Sequence, residues 1–199
     1  MSQATPSKRL HKAIAIVGRK GTGKSTYANT VAKAFIAANP TKKVVIFDVN
    51  GSPAYAEHAA ITYGRWNEFD NGIRRLYDPE HERALKFLAT NFRNGMIIFE
   101  DCTKYIPAMP QKEIKSMLVD HRMMQTDVVF TFHSVSFVPP FFWKMLNMVS
   151  LGKTDDDFEQ RLSYWRNKGI PNINAFIAAA EKLAKSKDQY QREVIQTNI

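Results

Sequence analysis

Three features are scarce in this sequence: cysteine, long apolar stretches, and acidic residues near its start. Cys102 is the only cysteine among 199 residues, which excludes an internal disulfide and fits a reducing compartment. No apolar run approaches the roughly 20 residues needed to cross a bilayer. Residues 1–12 are polar and basic and lack the apolar core of a secretory signal. We therefore expect a cytoplasmic protein without a transmembrane segment, whose residues 1–12 form a flexible basic arm.

The scarcity of acidic residues is local. None occurs before Asp48, whereas the same stretch holds nine basic residues: Lys8, Arg9, Lys12, Arg19, Lys20, Lys24, Lys33, Lys42 and Lys43. A second basic region follows Phe158, and the formal net charge is +9. Such asymmetry favours a polyanionic partner, either a nucleotide or a nucleic acid. A solvated basic surface is the alternative, because charge alone does not show a binding groove.

Apolar runs of strand length alternate with helix-like segments along the chain. The pattern predicts strands at 13–17, 43–49, 96–99, 127–132 and 147–151. It predicts helices at 26–38, 80–92 and 111–125, a short one near 141–143, one opening at 155–157 and a last one from Pro171. Alternating strands and helices indicate an α/β domain with a mostly parallel sheet covered on both faces. We expect a core at 13–153 and a C-terminal helical extension at 154–199 packed on it.

The most specific motif is a phosphate-binding P-loop between the first strand and the first helix. Its residues are Gly18, Arg19, Lys20, Gly21, Thr22, Gly23, Lys24 and Ser25, followed by Thr26. In such a loop, backbone N–H groups surround the phosphates of ATP, with the positive end of the next helix aimed at them. Lys24 is placed to reach the β- and γ-phosphates, and the Ser25 hydroxyl to ligate Mg²⁺. A glycine-rich turn without a ligand is the alternative.

Two further polar groups follow predicted strands. Glu100 and Asp101 end an apolar run and resemble a Walker B pair, in which one carboxylate holds Mg²⁺ and the next activates water. The usual order is Asp then Glu; here Glu100 takes the metal position and Asp101 the base position. His133 follows the 127–132 strand, where a polar side chain can sense the γ-phosphate. Solvated carboxylates at a strand end, and a histidine satisfied elsewhere in a loop, are the respective alternatives.

The order of these blocks resembles the FtsK/HerA superfamily of DNA-pumping ATPases. Asp48-Val49-Asn50-Gly51 looks like the end of that superfamily's second strand, and His121-Arg122 followed by 127–133 is similar to a family block normally closed by Gln. The resemblance covers about residues 13–153. It implies an additional-strand, RecA-like P-loop NTPase fold, a three-layer sandwich in which the 127–132 strand lies between the P-loop and Walker B strands.

The resemblance also implies an activity and an assembly. Members of the superfamily work as rings, usually hexamers, in which an arginine from the neighbouring subunit completes the site. Arg122 is the first candidate for this arginine, and Arg93, Arg161 and Arg166 stay open as alternatives. The compact size is similar to that of genome-packaging ATPases of membrane-containing icosahedral viruses. The resemblance implies Mg²⁺-dependent ATP hydrolysis and sequence-independent translocation of double-stranded DNA. It also implies a place in the host cytoplasm or on the virion, with a capsid vertex or a membrane protein as a further partner.

Several alternatives stay open at this point. The region 54–77, with Arg65, Arg74, Arg75 and several aromatics, is a weak candidate for the pore lining, since core packing explains the aromatics equally well. A zonula occludens toxin-like assembly or secretion ATPase would use nucleotide without DNA. A conjugation or chromosome-partition ATPase would belong to the same superfamily. A small-molecule kinase would need an arginine-rich lid, and no convincing lid is present in the sequence.

Overall fold

The computed structural model describes residues 11–106 and 112–197. Its strands are β1 (Ala13–Val17), β2 (Lys43–Phe47), β3 (Gly72–Leu76), β4 (Gly95–Phe99), β5 (Thr126–Phe132), β6 (Met148–Leu151) and β7 (Glu193–Gln196). Its α-helices are α1 (Lys24–Ala38), α2 (His81–Asn91), α3 (Lys112–Asp120), α4 (Pro140–Trp143), α5 (Leu162–Asn167) and α6 (Ile173–Lys185). Short 3₁₀ turns cover Pro53–Tyr55, Tyr63–Glu68, Cys102–Lys104 and Val135–Phe137.

All seven strands belong to one sheet, in the order β3-β2-β4-β5-β1-β6-β7. Every pairing is parallel except that of β6 with β7, which is antiparallel. The P-loop strand β1 therefore lies at the interior of the sheet, with β5 between it and β4, as the resemblance implied. Because the strands are parallel, the loops that follow β1, β4 and β5 all emerge at the same edge.

Side chains alternate between the two faces of the sheet and divide the core in two. Ile16, Ile46 and Ile98 pack with Ala28, Ala32 and Phe35 of α1 on one face. Residues one position along each strand, such as Val17, Phe47 and Phe99, pack on the other face with buried residues of α2, α3, α4 and α6. The predicted α/β fold, a mostly parallel sheet between two helical layers, is confirmed.

Both outermost strands were missed by the sequence analysis. β3 falls in the region 54–77 and β7 in the segment expected to be helical. Each borders only one other strand and carries charged or polar residues, as in Gly-Ile-Arg-Arg-Leu and Glu-Val-Ile-Gln. Such edge strands lack the continuous apolar run that identifies a central parallel strand.

The prediction that a helix begins at 155–157 is wrong, because the next helix, α5, begins only at Leu162. Asp156 instead accepts hydrogen bonds from the Ser134 hydroxyl, at 2.6 Å, and from the backbone N–H of Val135, at 2.8 Å. It thus fixes the turn that follows β5. An aspartate suits a helix N-terminus and a turn cap equally, and only the fold distinguishes the two.

The ends of the chain lie partly outside the described residues. Of the expected arm at 1–12, only His11 and Lys12 are described, and both contact the Asp127 carboxylate. Gln111, where the third helix was expected to start, is not described either, and α3 ends at Asp120 rather than at 125. Among the described residues, none of the helices has the length and apolar character that spanning a membrane requires.

The contact between β2 and β4 gives a test of the packing. A Cβ added to Gly95 would lie 2.2 Å from the Lys43 carbonyl oxygen and 2.9 Å from the Phe92 ring. Because the first of these is backbone, Gly95→Ala must push two strands apart, and we expect a loss of about 3 kcal/mol in the free energy of unfolding. Gly64→Ala is the control, since nothing lies within 4 Å of its added Cβ. Equal urea midpoints for the two variants would contradict this account of the sheet.

Candidate nucleotide site

A cleft of about 680 Å³ lies at the carboxyl edge of the sheet, where the loops after β1, β2, β4 and β5 meet. It is lined by Lys20, Gly21, Gly23, Lys24, Ser25, Thr26, Asn50, Ser52, Pro53, Ala54, Glu100, Asp101, Lys104, His133 and Tyr190. The parallel sheet thus brings the three predicted polar groups, the P-loop, the acidic pair and His133, to one place.

The P-loop has the backbone that an anion site requires. Gly21 and Gly23 have φ angles of 84° and 67°, which favour glycine, and α1 begins directly at Lys24. Thr22 is buried and donates its hydroxyl hydrogen bond to the Arg19 carbonyl at 2.9 Å, which closes the loop. Arg19 itself pairs with Asp155 at 3.0 Å, so its charge is engaged outside the cleft. The free N–H groups at the start of α1 are available to phosphate.

Lys24 is held inside the loop. Its Nζ donates to the Arg19 carbonyl at 3.0 Å, and the side chain is buried. Burial lowers the pKa of Lys24, and Arg192 lowers it further, whereas the Glu100 and Asp101 carboxylates act in the opposite sense. A cation that has already lost much of its hydration interacts strongly with an arriving phosphate.

Glu100 directly follows β4 and is a buried carboxylate with two hydroxyl donors. Ser25 donates to Oε1 at 2.6 Å, and Tyr55 donates to Oε2 at 2.6 Å. Burial raises the pKa of Glu100, and the nearby Asp48 and Asp101 carboxylates raise it further, while the two hydroxyls lower it. Tyr55 is fully buried between α1 and the sheet and was not singled out from the sequence.

The pair Ser25 and Glu100 fits Mg²⁺. Both offer hard oxygen atoms, and their hydrogen bond shows that one small cation can be reached by both. Among the described residues, no group of three or more His, Cys, Asp or Glu side chains could hold a metal by itself. In phosphate sites, Mg²⁺ is typically held by one or two protein oxygens together with phosphates and water.

Asp48 and Asn50, from the block that resembles the superfamily's second strand, also reach the site. Asp48 is buried after β2 and accepts the Ser52 N–H at 2.9 Å, which shapes the turn. Asn50 donates its side-chain amide to Asp101 Oδ2 at 2.9 Å. The backbone N–H of Asp101 donates to Thr131 Oγ1 at 2.7 Å, which ties β4 to β5. These contacts hold Asp101 in a left-handed conformation with φ 51°.

His133 faces Asp101 across the cleft. Its Nε2 lies 2.9 Å from Asp101 Oδ1, a close electrostatic contact rather than an aligned hydrogen bond. Burial lowers the pKa of His133, and Lys24 lowers it further, against the raising effect of Asp101. Nδ1 of the same ring is buried without a hydrogen-bond partner among the described residues. An imidazole with one unpaired, buried nitrogen therefore lies close to the Asp101 carboxylate and to Lys24 of the P-loop.

Arg192, directly before β7, supports the P-loop. The sequence analysis had placed it only in a general basic region. Its guanidinium donates to the carbonyls of Val17 and Ser150, each at 2.7 Å, and to the Thr22 carbonyl at 3.4 Å. It also lies 5.0 Å from the centre of the Tyr27 ring. Burial lowers the pKa of Arg192 to about 10. No sequence pattern connects a strand-edge arginine to a loop 170 residues earlier.

Arg122 is not part of this cleft. It is exposed in the turn between α3 and β5, at the amino edge of the sheet and thus across the sheet from the P-loop of its own chain. Arg93 lies at that edge too, where its guanidinium donates to the Ala89 and Phe92 carbonyls. Arg161 and Arg166 flank or lie in α5, and the Arg161 guanidinium lies 4.3 Å from the Tyr164 ring centre.

Comparisons with known proteins place the fold. No protein-family model matches the chain, and no curated protein matches it. Solved structures do. The genome packaging NTPase B204 from Sulfolobus turreted icosahedral virus 2, in complex with ATP-gammaS, superposes with a TM-score of 0.69 at 18% identity over 94% of this chain and 93% of that one.

Two other structures extend this likeness. B204, the DNA-packaging ATPase from Sulfolobus turreted icosahedral virus, gives a TM-score of 0.69 at 18% identity over 94% of this chain and 93% of that chain. The pCW3 conjugation coupling protein TcpA, with ATPgS, gives a TM-score of 0.53 at 7% identity over 73% of this chain and 49% of its own. At such identities the likeness concerns the fold. The chain thus has the P-loop NTPase fold of a viral packaging ATPase and a conjugation coupling protein, as the motif order implied.

Proposed function

We propose that this protein is a Mg²⁺-dependent ATPase of the FtsK/HerA type that translocates double-stranded DNA, as the motor of viral genome packaging. The observation that carries the proposal is the convergence of P-loop, Ser25–Glu100 pair and Asp101–His133 pair in one cleft. A phosphate loop alone would bind nucleotide, whereas hydrolysis also needs a metal-side carboxylate and a group that orients water. The likeness to B204 over nearly the whole of both chains supports the packaging role.

Each residue of the site would have its own chemical role. Backbone N–H groups at residues 21–26 and the Lys24 ammonium would bind the β- and γ-phosphates, which the helix N-terminus also favours. Ser25 and Glu100 would hold Mg²⁺, which neutralises charge between the phosphates. Asp101 would orient the attacking water and accept its proton. His133, neutral beside it, would hydrogen-bond the γ-phosphate or that water and so report whether ATP is intact.

A ring explains where an arginine could come from. In the described part of the chain, no arginine is among the residues that line the cleft. Arg19 of the loop pairs with Asp155, and Arg192 donates to backbone carbonyls. A neighbour in a ring, by our proposal a hexamer, would supply one, with Arg122 the first choice because its exposed position faces away from its own cleft. Such trans-acting arginines raise hydrolysis rates by about 10³–10⁵ in related NTPases.

DNA stimulation of hydrolysis is the decisive measurement. We expect double-stranded DNA of any sequence to stimulate ATP hydrolysis by the oligomeric protein, and the stimulation to fade as salt rises, because phosphate contacts release counterions. Lys24→Ala should abolish hydrolysis, whereas Lys86→Ala, on the exposed face of α2, should not. Hydrolysis indifferent to DNA would instead favour an assembly or secretion ATPase. Wild-type turnover by purified Lys24→Ala would refute the P-loop assignment.

A substitution of Tyr55 tests the proposed role of Glu100 as a Mg²⁺ ligand. Tyr55→Phe removes one of the two hydroxyl donors to Glu100 and leaves the ring in place. A hydrogen bond to a charged group contributes about 1.5–3 kcal/mol, so we expect roughly ten times more Mg²⁺ for half-maximal hydrolysis. Tyr63→Phe is the matched control, because Tyr63 donates to Asp78, away from the cleft. An unchanged Mg²⁺ dependence in Tyr55→Phe would argue against Glu100 as a ligand.

The pH dependence of stability tests the lowered pKa of His133. Its folded pKa lies below the ordinary 6.5, so the unfolded chain takes up a proton first as pH falls through that value. The wild type should therefore lose free energy of unfolding relative to His133→Gln below pH 6.5, with the loss complete below the folded pKa. Urea unfolding of both proteins near neutral and at acidic pH measures this difference. Parallel pH profiles would show that His133 carries no shifted pKa.

A further inference from the structure

Tyr190 lies at the mouth of the nucleotide cleft and has no role in the chemistry assigned above. Its side chain is 59% exposed although it lines the same cleft as the P-loop. A Cβ added to Gly23 would lie 2.9 Å from Tyr190 Cδ1, so the ring rests on the last loop residue before α1. The Cγ–Cδ1–Cε1 side of the aromatic ring thus lies against the phosphate loop, and much of the residue is open to solvent.

The segment that carries Tyr190 is anchored on both sides. The Tyr190 N–H donates to Asp188 Oδ1 at 2.8 Å, which closes a turn after α6. Two residues later, the Arg192 guanidinium is bound to carbonyls of β1 and β6. These contacts fix the backbone on either side of an exposed ring, and an ordered aromatic residue loses little further entropy when a ligand packs on it.

The order of the sheet places Tyr190 opposite the hydrolytic groups. Glu100 and Asp101 follow β4, and His133 follows β5, all on one side of the P-loop strand β1. Tyr190 lies three positions before the start of β7, which is on the other side of β1 beyond β6. A nucleotide with its γ-phosphate toward the carboxylates and its phosphates along the loop would direct its nucleoside toward the flank that carries Tyr190.

We infer that Tyr190 is the platform on which the base of the bound nucleotide stacks, an inference that rests on the proposed nucleotide-binding function. Stacking covers apolar ring surface on both partners and accepts any base, since every base has a π-face. The segment before β7 would therefore serve the site twice, with Arg192 supporting the loop and Tyr190 binding the nucleoside.

Binding of ATP and of inorganic tripolyphosphate separates the base from the phosphates. Calorimetric titration of the full chain with each, in Mg²⁺, should show that Tyr190→Ala weakens ATP binding about tenfold and leaves tripolyphosphate binding unchanged. Tyr190→Phe, which keeps the ring, should bind both like the wild type. Tyr77→Ala is the matched control, because Tyr77 is 63% exposed and lies beyond β3 at the far side of the sheet.

The outcomes distinguish this inference from the function beneath it. Equal weakening of ATP and tripolyphosphate by Tyr190→Ala would mean that the ring only supports the loop, and unchanged binding of both would mean that the base lies elsewhere; either overturns the inference alone. Failure of the wild-type protein to bind either ligand would overturn the proposed function and, with it, the role of Tyr190.

Discussion

The arrangement of the site depends on one buried carboxylate. Glu100 is 5% exposed at the end of β4, and its two oxygens accept hydrogen bonds from Ser25 at the start of α1 and from Tyr55 in the turn after β2. A buried charge without partners would be very costly, so these three segments are kept in register by the need to satisfy it. The same contact sets the distance between the P-loop and the end of β4, where hydrolysis would occur.

A second layer of contacts holds the remaining groups around this pair. Asn50 and Thr131 fix Asp101 by its side chain and its backbone, and His133 faces it from β5. On the opposite flank, Arg192 binds the carbonyls of β1, β6 and the loop. Lys24 and Arg192 carry positive charge close to the Glu100 and Asp101 carboxylates. Opposite charges partly compensate each other, which lets the buried Lys24, Glu100 and Asp101 lie side by side.

The proposed function needs more than the cleft of a single chain. The cleft holds what binding and polarising a phosphate requires, but its own Arg122 lies at the other edge of the sheet. Under the proposed function, a neighbour's arginine would make hydrolysis depend on assembly and so couple turnover to a ring and to DNA within it. A basic surface would then bind DNA phosphates without reading sequence.

The sequence by itself determined the central strands, the P-loop and the polar residues that end β4 and β5, because buried parallel strands are continuous apolar runs and glycine spacing is specific. It did not reveal β3 or β7, whose edge positions tolerate charge, nor the turn that Asp156 caps instead of opening a helix. Tyr55, Tyr190 and Arg192 join the site through contacts of 45, 167 and 170 positions along the chain. Only tertiary structure decides which tyrosine or arginine is so placed, because local pattern carries no information about distant partners.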